Sequence, residues 1–115
     1  MSQIPDEVRV ALEGLRALGG DALLKQMLVV FMQHSRDRMD ALQGAAVAGD
    51  FAGAAAAAHT LKGSARQLGL IAMANACVAV EAACKRGDAA TTQTETAAVY
   101  AQYTTAVEWL TSATA

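Results

Sequence analysis

A single proline and an aromatic content of 4% leave this 115-residue sequence short of what β-sheet folds are built from. Sheets favour β-branched and aromatic residues with turn signals at short intervals, so an all-β architecture is excluded. A basic surplus is missing as well: 9 Lys and Arg face 11 Asp and Glu, giving a net charge of −2 with His neutral. Proteins that hold phosphate backbones carry a basic excess or stripe, so nucleic acid is not an expected partner. No apolar run reaches the ~20 residues that cross a bilayer. The opening MSQIPDEVRV also lacks the basic-then-apolar order of a secretion signal. The expectation is a cytoplasmic chain with no membrane partner. The two cysteines, Cys77 and Cys84, stand seven residues apart. On one helix their Cα atoms would lie roughly 10 Å apart, beyond the ~7 Å that a disulfide spans. They read as packing thiols on one helix face.

What the sequence has is alanine, about a quarter of all residues, with hydrophobic residues at 54% and charged residues at 17%. Alanine is the best helix former, and the apolar share is enough for the core of one domain, residues 1–115. The class is all-α. Pro5, Asp6 and Glu7 open a short helix over about 5–16, since Pro suits a first turn and acids there favour the dipole. In it Val8, Val10, Leu12 and Leu15 are the apolar positions. Gly19-Gly20 breaks it, and Asp21 is an N-cap candidate for a long helix over about 21–48. There Leu24, Leu28, Phe31, Ser35, Met39, Leu42 and Ala46 recur at threes and fours. Gly49-Asp50 stops that helix and caps the next, about 51–68. A further helix, about 70–86, carries Leu70, Met73, Cys77, Val80 and Cys84 on one stripe. Arg86-Gly87-Asp88 repeats the stop and cap before a last helix over about 89–113, with Val99, Tyr103, Ala106 and Leu110 inward. Connections this short between long helices imply antiparallel neighbours. The predicted fold is an antiparallel up-down four-helix bundle with a short additional N-terminal helix. With its apolar faces closed on one another, it is expected to be a monomer.

The chemistry concentrates on the helix over 51–68. At 100° per residue, Phe51, Ala54, Ala58, Leu61, Ala65 and Leu68 form its buried stripe, and His59 falls about 130° from the centre of that stripe. His59 therefore faces solvent. Its neighbours at three, four and seven positions are Ala55, Ala56, Lys62, Gly63 and Arg66. A histidine stands on a floor of small residues edged by two cations. A mid-helix glycine costs roughly 1 kcal/mol against alanine, and one beside an exposed histidine points to another surface approaching closely. A neutral imidazole with an accessible nitrogen is a competent nucleophile. A phosphoryl group on it would bring a charge near −2, which Lys62 would balance.

The run Ala58-His59-Thr60-Leu61-Lys62-Gly63-Ser64-Ala65, followed by Leu68-Gly69, resembles the signature of histidine-containing phosphotransfer (HPt) domains of two-component phosphorelays. Phe31, Leu42, Gly49 and Asp50 before it, and Cys77, Glu81 and Arg86-Gly87-Asp88 after it, extend the likeness over residues 21–88. The resemblance implies a phosphocarrier rather than an enzyme. His59 would accept a phosphoryl group from an aspartyl phosphate on the receiver domain of a hybrid sensor kinase and pass it to the Asp of a response regulator. Lys62 would stabilise the phosphoryl charge, Gly63 would leave room for the receiver's loops, and Ser64 would add a polar contact. Ala55, Ala56, Lys62, Gly63 and Arg66 would meet the partner. The family also places a Glu or Gln of the next helix near the imidazole, which is the position of Glu81. Read from the residues alone, Glu81 is a boundary carboxylate that could equally pair with Arg66 or another cation. The resemblance implies no cofactor of the chain's own, with Mg²⁺ supplied by the partner receiver.

Three other readings compete. A metal site on His34, His59, Cys77 and Cys84 is disfavoured, because bundle metal sites draw inward-facing ligands from facing helices and the two cysteines lie too far apart to share a zinc. His34 reads as a boundary residue of its helix. A purely adhesive helical module would not need His59. The domain could also be part of a hybrid or chemotaxis kinase, although the Met1 start and the end just after the last helix favour a free-standing protein.

Overall fold

The computed structural model describes residues 4–113, which form four α-helices: α1 (Asp6–Ala48), α2 (Phe51–Gln67), α3 (Ile71–Lys85) and α4 (Ala89–Ala113). Among these residues there is no strand, and no helix is long and apolar enough to cross a membrane. Each helix packs against its neighbour in sequence, and α4 closes back on α1. Residues 1–3 and 114–115 of the expected domain span lie outside the described residues.

The periodicities chose the core residues well. Leu24, Leu28, Phe31, Ser35, Met39, Leu42 and Ala46 are all buried, as are Leu70, Met73, Cys77, Val80 and Cys84. On α2, Ala54, Ala58, Leu61, Ala65 and Leu68 are buried as expected and Phe51 is half-buried, while Ala57 joins them between Ala54 and Ala58. Ala at these positions lets α2 sit close to its neighbours, and Leu61, on the side of the helix opposite His59, is 1% exposed in the core. Replacing Leu61 with Ala should cost about 2–5 kcal/mol, read from the denaturant midpoint at unchanged slope.

The break expected at Gly19-Gly20 is present within α1. α1 runs as two helical segments that meet at a kink, where Gly19 and Gly20 leave helical backbone geometry. Gly20 takes φ 76°, a conformation that favours glycine. Asp21 does not stand out as an N-cap. It directly follows the kink, but its carboxylate accepts a hydrogen bond from Arg16 Nε at 2.7 Å. Of the apolar positions of the first segment of α1, Val10 is exposed, since two residues along a helix turn it about 200° from buried Val8.

The connections are two or three residues long and share one construction. At the ends of α1, α2 and α3, the amide after a left-handed glycine reaches back five residues: Asp50 to Ala45, Leu70 to Ala65 and Asp88 to Ala83, at 2.9–3.0 Å. This is the Schellman arrangement that satisfies the last carbonyls of a helix. Asp50 then caps α2, accepting from the Gly53 amide at 2.9 Å. Asp88 opens α4 by accepting from the amide and hydroxyl of Thr91, which hold its carboxyl below its ordinary value. Together these short joints fix where α2 and α3 face one another.

Candidate functional site

His59 sits in the middle of α2, nine residues from the Asp50 cap, on the face turned from the core. Its side chain is 71% exposed. One turn on, the Lys62 side chain lies folded against the molecule at 17% exposure. α3 supplies the third member: Glu81 stands one turn beyond buried Cys77, which places its carboxylate at the α2–α3 seam. One oxygen of Glu81 lies 3.4 Å from His59 Nδ1 and the other 2.7 Å from Lys62 Nζ. A single carboxylate therefore touches both the ring and the ammonium.

The charges follow from that geometry. Burial pushes the Glu81 carboxyl up, but the hydrogen bond and charge of Lys62, with a smaller share from His59, more than offset it and hold the group below its ordinary 4.5. Desolvation raises the neighbouring Cys77 thiol to about 11, with the Glu81 charge adding to the rise and Lys62 opposing it, so the thiol stays protonated and inert. A carboxyl whose folded value is lowered stabilises the fold fully above the unfolded value and loses that contribution as pH falls through the folded one. Glu81→Gln should accordingly lessen the loss of stability on acidification below pH 4.5. Urea titrations at neutral pH and in acid would show this, and an unchanged acid arm would contradict the pairing.

With a proton on Nδ1 facing the carboxylate, Nε2 is left with the ring's lone pair. The result is a nucleophilic nitrogen on an exposed ring, oriented from behind and flanked by a cation.

Other expected site residues divide into two groups. Ala55, Ala56, Gly63 and Arg66 lie on the His59 side of α2, with Ala56, Gly63 and Arg66 exposed and Ala55 half-buried. A Cβ built on Gly63 would meet nothing within 4 Å. The fold itself does not require glycine there. Gly63→Ala should therefore stabilise the protein by up to about 1 kcal/mol, seen as a higher melting temperature. Ser64 is not brought to the site. It lines a separate depression between α1 and α2 with His34, Asp37, Arg38 and Thr60. His34 is exposed there. Of the alternatives open for Glu81, the cation it pairs with is Lys62, not Arg66.

Sequence reasoning missed the α3 flank. An open groove beside His59 is lined by Phe51, Ala52, Ala55 and Lys62 of α2 and by Val78, Glu81, Ala82 and Lys85 of α3. The spacing of Val78, Ala82 and Lys85 at i, i+4 and i+7 was the available signal, for it puts them on one face with Glu81. Among the described residues, no group of three or more His, Cys, Asp or Glu could hold a metal ion. His59 is exposed while Cys77 and Cys84 are buried and free.

Among known protein families, the model described as Hpt domain matches residues 26–110, most of the chain and all of α2 and α3. No curated protein and no solved structure matches it.

Proposed function

This chain belongs to the Hpt domain family, whose members carry phosphoryl groups on histidine in two-component phosphorelays, and we propose that His59 is its phosphoacceptor, charged by one receiver domain and discharged to another. The observation that carries this reading is the exposed imidazole held through Nδ1 by Glu81. The family match covers the helix that presents it.

In the proposed step, Nε2 attacks the phosphorus of an aspartyl phosphate. The N–P bond forms as the bond from phosphorus to the aspartyl oxygen breaks, and the carboxylate leaves with that electron pair. The Nδ1 proton stays in place against Glu81, which stabilises the positive character the ring gains. Transfer of this kind is mostly positioning and charge neutralisation. Lys62 supplies charge from this side, and Mg²⁺ with its acidic ligands comes from the receiver. The reverse sequence, on a response regulator, returns the phosphoryl group to an aspartate.

Docking falls to the small-residue face. Ala55, Ala56 and Gly63 keep the helix surface low around the ring, and Arg66 offers charge to an acidic partner. Gly63→Ala, which should stabilise the fold, should slow transfer at least several-fold by intruding on that contact. Single-turnover transfer from a phosphorylated receiver checks it, and an unchanged rate would remove Gly63 from the interface. Ser64 would act only at the edge of a docked partner. We further read the four helices as running alternately up and down, since connections of two or three residues leave little other choice. In this reading the chain is one domain that acts as a cytoplasmic monomer.

The direct test is incubation with a phosphorylated receiver domain and Mg²⁺. The reading expects label on this chain that is lost in acid and retained in alkali. An adhesive module would take up none.

A further inference from the structure

We propose that Lys62 changes partner during the carrier cycle, bound to Glu81 while His59 is free and to the phosphoryl group once it arrives, so that Glu81 governs how readily the phosphoryl group is given up. The inference rests on the reading of His59 as phosphoacceptor. It starts from the unequal grip of one carboxylate: 2.7 Å to Lys62 Nζ but 3.4 Å to His59 Nδ1. The bonds from the two nitrogens of an imidazole diverge, so a group on Nε2 lies on the side of the ring away from Glu81. Lys62 in its present position, tucked at the α2–α3 seam, is on the near side. Its flexible four-carbon stem starts one turn from His59 and can reach either side.

A phosphoryl group with charge near −2 competes strongly with a single carboxylate for an ammonium. When Lys62 swings out to it, a partly buried Glu81 is left without its cation. That cost falls only on the phosphorylated state. The Lys62–Glu81 pair thus opposes charging and favours onward transfer, keeping the group available to the next aspartate. Arg66, exposed and two turns from His59, can face the phosphoryl group in either case and does not alter the exchange.

The alternative, a lysine that never reaches the phosphoryl group whether or not Glu81 holds it, makes a different forecast. The phosphoryl group would then feel the Lys62 and Glu81 charges independently, and removing them would have additive effects on its free energy. Partner exchange makes the effects non-additive, because the lost Lys62–Glu81 attraction appears only when both residues are present.

The test is a double-mutant cycle on the equilibrium partition of labelled phosphoryl between this chain and one fixed receiver domain. Wild type, K62M, E81Q and K62M/E81Q are compared in dilute solution, where free species dominate and docking does not bias the result. Exchange predicts that E81Q shifts the partition toward phosphohistidine about threefold more in the wild-type background than in the K62M background, the size expected of a partly exposed ion pair. Effects that simply multiply would overturn the proposal while leaving the carrier reading intact. A wild type that takes up no label overturns the carrier reading, and this inference with it. Melting curves confirm that each variant is folded, with K62Q replacing K62M if the latter is not.

Discussion

His59→Gln eliminates phosphoryl uptake and leaves the melting temperature almost unchanged. The two halves of this result have different causes. The side chain is 71% exposed and its contact with Glu81 is a long 3.4 Å approach, so its loss should move stability by no more than about 0.5 kcal/mol. The chemistry has no such reserve, because Gln offers an amide where a nucleophilic ring nitrogen is required. Label transfer and calorimetry on the same preparation separate the effects. A variant that still took up acid-labile label would show that the nucleophile lies elsewhere. One that failed to fold would show that the ring is part of the scaffold.

Gly69→Ala is the strongest expected effect on the fold itself. Gly69 ends α2 with φ +71°, and a Cβ there would collide with the backbone carbonyl of Glu7. A left-handed conformation costs a non-glycine residue roughly 1–2 kcal/mol. The collision adds to this because backbone, unlike a side-chain tip, cannot step aside cheaply. A total loss of about 3 kcal/mol is expected, which for a domain of this size lowers the melting temperature by roughly 10 °C. Gly63→Ala provides the internal contrast, since there a Cβ meets open space and should stabilise. Equal effects at the two positions would contradict the close packing of the first turn of α1 against the α2–α3 joint.

Most of the helical scaffold was legible because burial and period coincide on these helices. Leu24 through Ala46 repeats at threes and fours without a gap, so the inward face could be read directly. The cap at Asp50 was equally plain beside Gly49. Asp21 looked the same in sequence, a polar residue after glycines, but Arg16 reaches its carboxylate across the kink. That competition between side chains has no local signature. Ser64 is a different case. It adjoins Lys62 and Gly63 in the motif, yet two residues beyond Lys62 is about 200° around the helix, which was available from the sequence and argued against grouping them. The Lys62–Glu81 pair was beyond reach for a tertiary reason. Nineteen positions apart on different helices, they meet only because the joint at Gly69 sets the offset of α3 along α2.

The Glu81 contact also says which nitrogen should react. Nδ1 faces the carboxylate at 3.4 Å, so Nε2 is the one left to attack. Nitrogen-15 NMR of the labelled chain after incubation with a phosphorylated receiver would locate the phosphoryl group by its coupling to phosphorus. The expected result is phosphorylation at Nε2 of His59, with no signal from His34. Coupling at Nδ1, or at any other residue, would contradict it.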